Sequence, residues 1–407
     1  MHPTWPTRRP GGRPAGVAAR GRPRIAGLGD SFVANHHGDG GFQLFDGPIN
    51  IANALLGQPF AFTRDDNLGA WGETAAEVAE RLEGALGLGP DLLVVSAGSN
   101  DVLFEPSAER SFAALAGIAE AAAAAGVETL FLAVPPRTEE SWPLPEQQAR
   151  AVAINHRLGG LAQTVAGAGF CDWAAGMVAD GPGYLARPGH THDGIHFSAV
   201  GAFGAGVRLA DWLRARYGLP AGVPAGFHPA LGAAAASLAA NPLLGGEDGA
   251  TDLGAEGRVA DGWRLRRVYG DAAALALPAA EGQTVRIATR AAVSEFFYEA
   301  DPAALVLPAG AAVRGFADVA LAPSAAWSHA HLDLVEEAGD NNRQAALFAW
   351  TAVRPIPGDA GMRLFMLTDP LRLPAGGRVL MRLRFEVADA RGVPAELTIR
   401  AIGAWPA

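Results

Sequence analysis

Between residues 25 and 216, short and almost wholly apolar runs alternate with longer helical segments, and this alternation constrains the fold more than any other feature of the chain. The clearest run is Asp91–Ala97, with Leu-Leu-Val-Val at its centre. A strand without a polar face suits a parallel sheet covered on both sides. Further strands are expected at Ile25–Gly29, Pro59–Thr63, Glu128–Val134 and Gly169–Trp173. Helices are expected through Ile49, Ala52, Leu55 and Leu56, and then over Glu73–Leu86 with Glu73 or Thr74 near its start. Three more are expected over Ala108–Ala125, Glu146–Ala166 and Ser198–Arg216. The pattern predicts a three-layer α/β/α sandwich around a parallel five-stranded sheet, with right-handed crossovers.

The residues that carry chemistry stand where these runs end. Ile25-Ala26-Gly27-Leu28 breaks into Gly29-Asp30-Ser31, which lifts a serine hydroxyl onto the carboxyl edge of the sheet, where open α/β sheets place their sites. By itself the tripeptide fits equally a glycine turn whose serine caps the next helix. Three further clusters follow in order. Asn67-Leu68-Gly69-Ala70-Trp71-Gly72-Glu73-Thr74 comes after the second run, Gly98-Ser99-Asn100-Asp101 after the third, and Asp193-Gly194-Ile195-His196-Phe197 before the last helix.

With these four clusters, residues 24–217 resemble the SGNH/GDSL hydrolases, whose blocks supply a serine, a glycine, an asparagine and an Asp-x-x-His pair in the same order. The resemblance implies a flavodoxin-like α/β sandwich and an ester-hydrolysing site. Ser31 would be the nucleophile, His196 the base and Asp193 the group that holds the imidazole. The oxyanion donors would be the backbone N–H groups of Ser31 and Gly72 and the side-chain amide of Asn100. Glycine lets a ligand oxygen approach bare backbone, and asparagine donates without a repelling charge. The spacing of Asp193 and His196 lets the carboxylate reach Nδ1 while Nε2 faces the serine. The plainer readings are a turn capped at Ser198 for the first pair and a backbone-bonding turn residue for Asn100. Asp30 and Asp101 are expected to bond backbone. Phe32 after the serine and Trp71 before Gly72 depart from the usual pattern and bear on substrate choice.

His190, His192 and His196 form His-x-His-x-x-x-His, a spacing that can hold zinc. His196 is already claimed by the triad, so neither a metal nor a cofactor is expected. The adjacent His36 and His37 point to opposite sides of an extended chain and are read as part of a surface loop. One cysteine, Cys171, excludes an internal disulfide and is expected in a core strand.

The net charge is −10, yet the first 24 residues carry six arginines and no acid, so the remainder carries −16 (−10 − 6). A body that acidic repels phosphate backbones, which excludes nucleic acid as a partner. Residues 1–23 include Arg8-Arg9 but lack the apolar run of a signal peptide, and are expected to be a disordered Arg/Pro-rich tail. No apolar stretch reaches the length of a membrane span. Cytoplasm is the default compartment, with export left open.

Beyond Tyr217 the pattern changes. Residues 218–240 read as a linker and 241–407 as an all-β sandwich, jelly-roll-like, with strands at Gly262–Val268, Thr284–Ala288, Ala303–Leu307, Phe348–Val353, Val379–Val387 and Leu397–Ile402. The segment from Asn241-Pro242-Leu243-Leu244-Gly245 to Asp261-Gly262-Trp263 resembles the opening of sandwich modules attached to other bacterial SGNH hydrolases. Trp263, Phe296, Phe297, Tyr298, Trp327 and Trp350 read either as core or as a sugar-stacking platform. Glu336, Glu337 and Asp340 read either as calcium ligands or as an acidic loop.

The function expected is that of a serine carboxylic-ester hydrolase working through a covalent acyl-enzyme on a small-molecule or carbohydrate acyl ester, the carbohydrate part resting on the appended sandwich alone. The alternatives are an O-acyltransferase with the same triad, and a glycan-binding or interaction protein with the α/β domain as scaffold. Oligomeric state is not legible in the sequence.

Overall fold

The computed structural model describes residues 22–35, 47–104, 107–219, 237–290, 292–301, 305–324, 326–337, 342–346, 361–388 and 392–406. The expected tail up to residue 21, the His36-His37 loop, most of the expected linker, the strand expected over Phe348–Val353 with Trp350, and Asp340 lie outside the described residues. The chain divides into two compact units; among the described residues the first holds 22–35, 47–53 and 59–219, and the second holds 54–58 and the residues from 237 onward.

The first unit is built on five parallel strands, Ile25–Gly29 (β1), Asn67–Gly69 (β2), Leu92–Ser96 (β3), Glu128–Leu132 (β4) and Ala168–Cys171 (β5). Their order is β2-β1-β3-β4-β5. Leu28 pairs with Leu68 on one side and Val95 on the other. Every residue of β1 and β3 is buried, as strands without a polar face require. At Gly29 the chains approach so closely that a Cβ would lie 2.2 Å from the Ser96 carbonyl oxygen.

The helices are Ser31–Ala34 (α1), Pro48–Leu55 (α2), Ala75–Glu80 (α3), Leu82–Gly87 (α4), Asp101–Phe104 (α5), Ala108–Ala124 (α6), Pro145–Thr164 (α7) and Ala199–Tyr217 (α8). The longer ones turn apolar stripes inward at helical spacing, such as Leu115, Ile118, Ala119 and Ala122 of α6. Because β2 and β3 lie on opposite sides of β1, the strand order reverses there and opens a crevice at the carboxyl ends. Ser31 follows β1 directly at this point. No helix of the described residues is long and apolar enough to cross a membrane.

Two local expectations are corrected. Pro59–Thr63 is not a strand, since only Ala61 bridges to Arg24. The chain turns immediately afterwards because the Asp66 carboxylate accepts from the Thr63 N–H (2.7 Å) and hydroxyl (2.8 Å), and the second strand forms later, within the Asn67–Gly69 block itself. The expected helix over Glu73–Leu86 is two helices broken at Arg81, whose φ of −95° and ψ of 3° interrupt the spiral. The Arg81 guanidinium donates to the Gly29 carbonyl (2.9 Å) and the Glu73 carboxylate (3.0 Å), which ties this break to the end of β1. The helix start is as expected, with the Glu77 carboxylate accepting from both the N–H and the hydroxyl of Thr74 at 2.8 Å.

The second unit is a sandwich-like arrangement of two mixed sheets. One contains Ala255–Gly257, Ala273–Pro278, Gln283–Ala288, Ala395–Pro406, Ala311–Leu321 and Met362–Leu367, with Leu371–Leu373 paired to Ala311–Leu321. The other contains Ala250–Asp252, Trp263–Tyr269, Ser294–Ala300, Gly377–Val387, Trp327–Glu336 and Asn342–Ala346, with Val306–Leu307 paired to Gly377–Val387. The alternation expected in Val379–Val387 is realised, since Met381, Leu383, Phe385 and Val387 are all buried. Trp263, Phe296, Phe297, Tyr298 and Trp327 are buried as well, so they are core and not a sugar platform. Trp263 stacks on Tyr298 with centroids 5.4 Å apart.

Strands that the alternation did not reveal carry charged residues at buried positions. Asp318 in Ala311–Leu321 accepts from Arg363 at 2.6 Å, and Asp333 in Trp327–Glu336 accepts from Arg382 at 2.8 Å. At the opening of this unit Asn241, at a φ of 51°, accepts from the Gly245 N–H (2.9 Å) and donates to the Asp261 carbonyl (2.9 Å). Its carbonyl receives the Trp263 indole N–H at 3.1 Å, so the resembling segment is one hydrogen-bonded loop. Glu337 faces Arg378 at 3.2 Å as a half-exposed ion pair.

Candidate active site

The site begins where β1 ends. The Asp30 N–H continues the β1–β3 pairing by donating to the Ser96 carbonyl (3.1 Å), and the Asp30 carboxylate caps α1 through the Phe32 N–H (3.0 Å). Ser31 therefore stands at the first position of a helix, where the backbone N–H has no intrahelical acceptor. Its hydroxyl lies 2.9 Å from His196 Nε2.

His196 reaches it from a tight local hairpin. Thr191 bridges to Phe197, and the turn between them holds Asp193 and Gly194, the glycine at a φ of +87°. One Asp193 oxygen accepts from the N–H groups of Ile195 (2.9 Å) and His196 (2.7 Å), while the other lies 2.6 Å from His196 Nδ1. An ionised carboxylate only accepts, so Nδ1 carries the proton and the Nε2 lone pair faces the serine hydroxyl. Burial pushes the Asp193 carboxyl upward, but the hydrogen bonds from the His196 ring and from the two backbone N–H groups outweigh it and hold the group at about 2.

The imidazole is flanked by rings. Trp71 meets it edge-on with centroids 5.3 Å apart, Phe32 lies at 5.5 Å, and His192 stacks at 5.9 Å. Trp71 is 58 % exposed, so its indole forms an open wall beside the histidine.

Ser31, Gly72 and Asn100 follow β1, β2 and β3, three adjacent strands whose ends lie about 5 Å apart from neighbour to neighbour. Gly72 has a φ of +78°, and a Cβ built on it would meet nothing within 4 Å. The backbone conformation, and not close packing, is what requires glycine there. Asn100 Nδ2 donates to the Glu73 carbonyl at 2.9 Å, which ties the third block to the second. The Asp101 carboxylate does the same through the Ala75 N–H (2.9 Å), the structural part expected of it.

Asp30 is structural too, yet its surroundings are unusual. Burial pushes its carboxyl up to about 7, against the Phe32 hydrogen bond and the positive charge of Arg137. Arg137 was not among the residues the sequence singled out for the site, and no local signal in Pro135-Pro136-Arg137 marks it. It is 2 % exposed and donates to the Ser99 hydroxyl (2.7 Å), the Ser99 carbonyl (3.1 Å) and Asn100 Oδ1 (3.3 Å). Burial lowers the guanidinium to about 10, with Asp30 and Asp193 acting in the opposite direction.

The zinc spacing is assembled differently from its expectation. His192, Asp193 and His196 each offer a ligand atom within 4.8 Å of the others, and His190 is not in the group. Asp193 Oδ2 and His196 Nδ1 already face each other at 2.6 Å, and His192 Nδ1 lies 3.0 Å from the Phe197 carbonyl. Cys171 is buried at the end of β5, and burial pushes its thiol well above the ordinary range, away from nucleophilic chemistry.

A hydroxyl, an imidazole and a carboxylate stand in one hydrogen-bonded line at the switch point of an open parallel sheet, the arrangement on which serine-nucleophile hydrolysis depends. Residues 28–202 match the GDSL-like Lipase/Acylhydrolase family, which implies an ester hydrolase. Similar solved structures include a putative lipolytic protein of the G-D-S-L family from Desulfitobacterium hafniense, 15 % identical over 47 % of this chain and 100 % of that one, with a TM-score of 0.39. A catalytic mutant of an acetylxylan esterase from Geobacillus stearothermophilus is 16 % identical over 48 % and 94 %, with a TM-score of 0.37. A carbohydrate esterase family 3 protein from Talaromyces cellulolyticus is 20 % identical over 47 % and 95 %, with a TM-score of 0.35. No curated protein matches the chain.

Proposed function

We propose that the protein is a serine carboxylic-ester hydrolase with Ser31, His196 and Asp193 as its triad. The observation that carries this reading is the line of contacts from Ser31 Oγ to His196 Nε2 (2.9 Å) and from His196 Nδ1 to Asp193 (2.6 Å). Ser31 Oγ attacks the acyl carbonyl as His196 takes its proton, and Asp193 stabilises the imidazolium that results. The N–H groups of Ser31 and Gly72 and the Asn100 amide receive the oxyanion. Collapse expels the alcohol, which takes the proton back from His196. Water then attacks the acyl-enzyme by the same route and releases the acid.

The alcohol leaves on the side of His196, and Trp71 stands there with an open face. A flat aromatic wall beside the proton donor suits a ring-shaped alcohol, so we assign short acyl esters of a carbohydrate as the substrate class. Residues 24–217 then constitute the catalytic domain.

The test is a hydrolysis screen on p-nitrophenyl esters of increasing acyl length and on acetylated pyranosides, with Ser31→Ala as control. Short acyl esters should be hydrolysed by the wild type alone. Equal hydrolysis by Ser31→Ala would overturn the assignment.

A further inference from the structure

An oxyanion donor is useful only if it points the right way, and an asparagine amide is nearly symmetric in shape: turned by 180° it would aim its oxygen where its N–H should be. The two groups around Asn100 allow one orientation only. Arg137 Nη2 lies 3.3 Å from Asn100 Oδ1, and a guanidinium has donors and no acceptor. The Glu73 carbonyl lies 2.9 Å from Asn100 Nδ2, and a carbonyl only accepts. Turning the amide would set N–H against N–H on one side and oxygen against oxygen on the other. One Nδ2 hydrogen is thereby committed to Glu73, and the second is left for the site.

We propose that Arg137 is a positioning residue of the oxyanion hole, holding the Asn100 amide in its donating orientation, while the backbone of the next residue ties the same segment to the hairpin that carries the triad histidine. The first part follows from Arg137 Nη2, which donates to the Ser99 hydroxyl, the Ser99 carbonyl and Asn100 Oδ1 while Nε also reaches the Ser99 hydroxyl (3.3 Å), all from a side chain that is 2 % exposed. Its guanidinium also lies over the Trp142 ring, 5.5 Å from the centroid, and Trp142 is fully buried, so the fork has little room to move. The second part follows from the next residue. The Thr138 N–H donates to the Gly194 carbonyl at 2.9 Å, between Asp193 and His196. One short segment thus sets both the oxyanion donor and the loop of the base. Lysine would not replace arginine here, because a single ammonium has no planar pair of donors to close on the Ser99 hydroxyl as Nε and Nη2 do while Nη2 also holds Asn100 Oδ1.

The proposal rests on Asn100 being an oxyanion donor, and a double-mutant cycle separates the two statements. kcat and KM for p-nitrophenyl acetate are measured for the full chain, Asn100→Ala, Arg137→Met and the double variant, with circular dichroism as a check of folding. Asn100→Ala should lower kcat by about 10²–10³, and Arg137→Met by about 10–10², with KM changed far less. Because Arg137 acts through Asn100, the double variant should be no worse than Asn100→Ala by more than about threefold. A merely structural arginine would give losses that multiply. Multiplying losses, or an Arg137→Met variant with full kcat, overturn the Arg137 proposal and leave the Asn100 assignment standing. Full turnover in Asn100→Ala overturns both. Should Arg137→Met fail to fold, Arg137→Lys keeps the charge without the fork, and the same cycle is read with it.

Discussion

Asp30→Asn isolates a buried carboxyl that the reaction does not use. The substitution keeps the shape of the side chain, and asparagine caps helices as well as aspartate does, so the bond to the Phe32 N–H survives. What changes is titration. Burial raises the Asp30 carboxyl from its ordinary 3.8 to about 7, so between those values the folded protein holds a proton that the unfolded chain has released. Stability therefore has its full Asp30 contribution below the unfolded value and loses it as pH rises through the folded one. At ~1.4 kcal/mol for each pH unit, the loss amounts to about 4 kcal/mol. Asp30→Asn has no such slope. Urea unfolding of wild type and variant, followed by loss of esterase activity at pH values from 4 to 8, should show the wild type losing ground to the variant as pH rises, with the gap levelling off above about 7. Infrared difference spectra at pH 5 should in addition contain a protonated carboxyl band that Asp30→Asn lacks. Parallel stability curves and no such band would mean that Asp30 is ionised in the folded protein and that its burial is compensated more fully than the geometry around it indicates.

Three further outcomes are expected. A phosphonate ester should label Ser31, and Ser31→Ala should lower turnover by roughly 10⁶; intact-protein mass spectrometry showing labelling in Ser31→Ala would contradict the assignment. Trp71→Ala should lower kcat/KM for acetylated pyranosides by roughly 2- to 10-fold, the worth of one aromatic contact, with a smaller change for a linear alkyl acetate; equal losses on both would remove Trp71 from alcohol recognition. Gly72→Ala has space for its methyl group but not the backbone conformation, so it should cost about 1–2 kcal/mol in the same urea assay, and it should slow turnover as the Gly72 N–H tilts away; an unchanged rate would take that N–H out of the oxyanion hole.

The sequence by itself determined the layered α/β domain, because strands buried on both faces must be apolar throughout, and Leu92-Leu93-Val94-Val95 is nothing else. The candidate site was legible as well, since Ser31 and Asn100 follow apolar runs, and the spacing between Asp193 and His196 is a local property that one tight turn realises. The inner face of Val379–Val387 was legible for a related reason: a period of two survives wherever one face meets a core and the other does not. Tertiary structure alone decided what depended on distant partners. Asp66 turned an expected strand at Pro59–Thr63 into a bend, and Arg81 broke one helix into two by reaching back to the end of β1. Strands such as Ala311–Leu321 and Trp327–Glu336 hid their period because Asp318 and Asp333 are buried against arginines far away in the chain. Arg137 belongs with these: nothing in Pro135-Pro136-Arg137 says that its guanidinium will close on Ser99 and Asn100, since a charge is buried only where the fold supplies its acceptors, and those come from another strand.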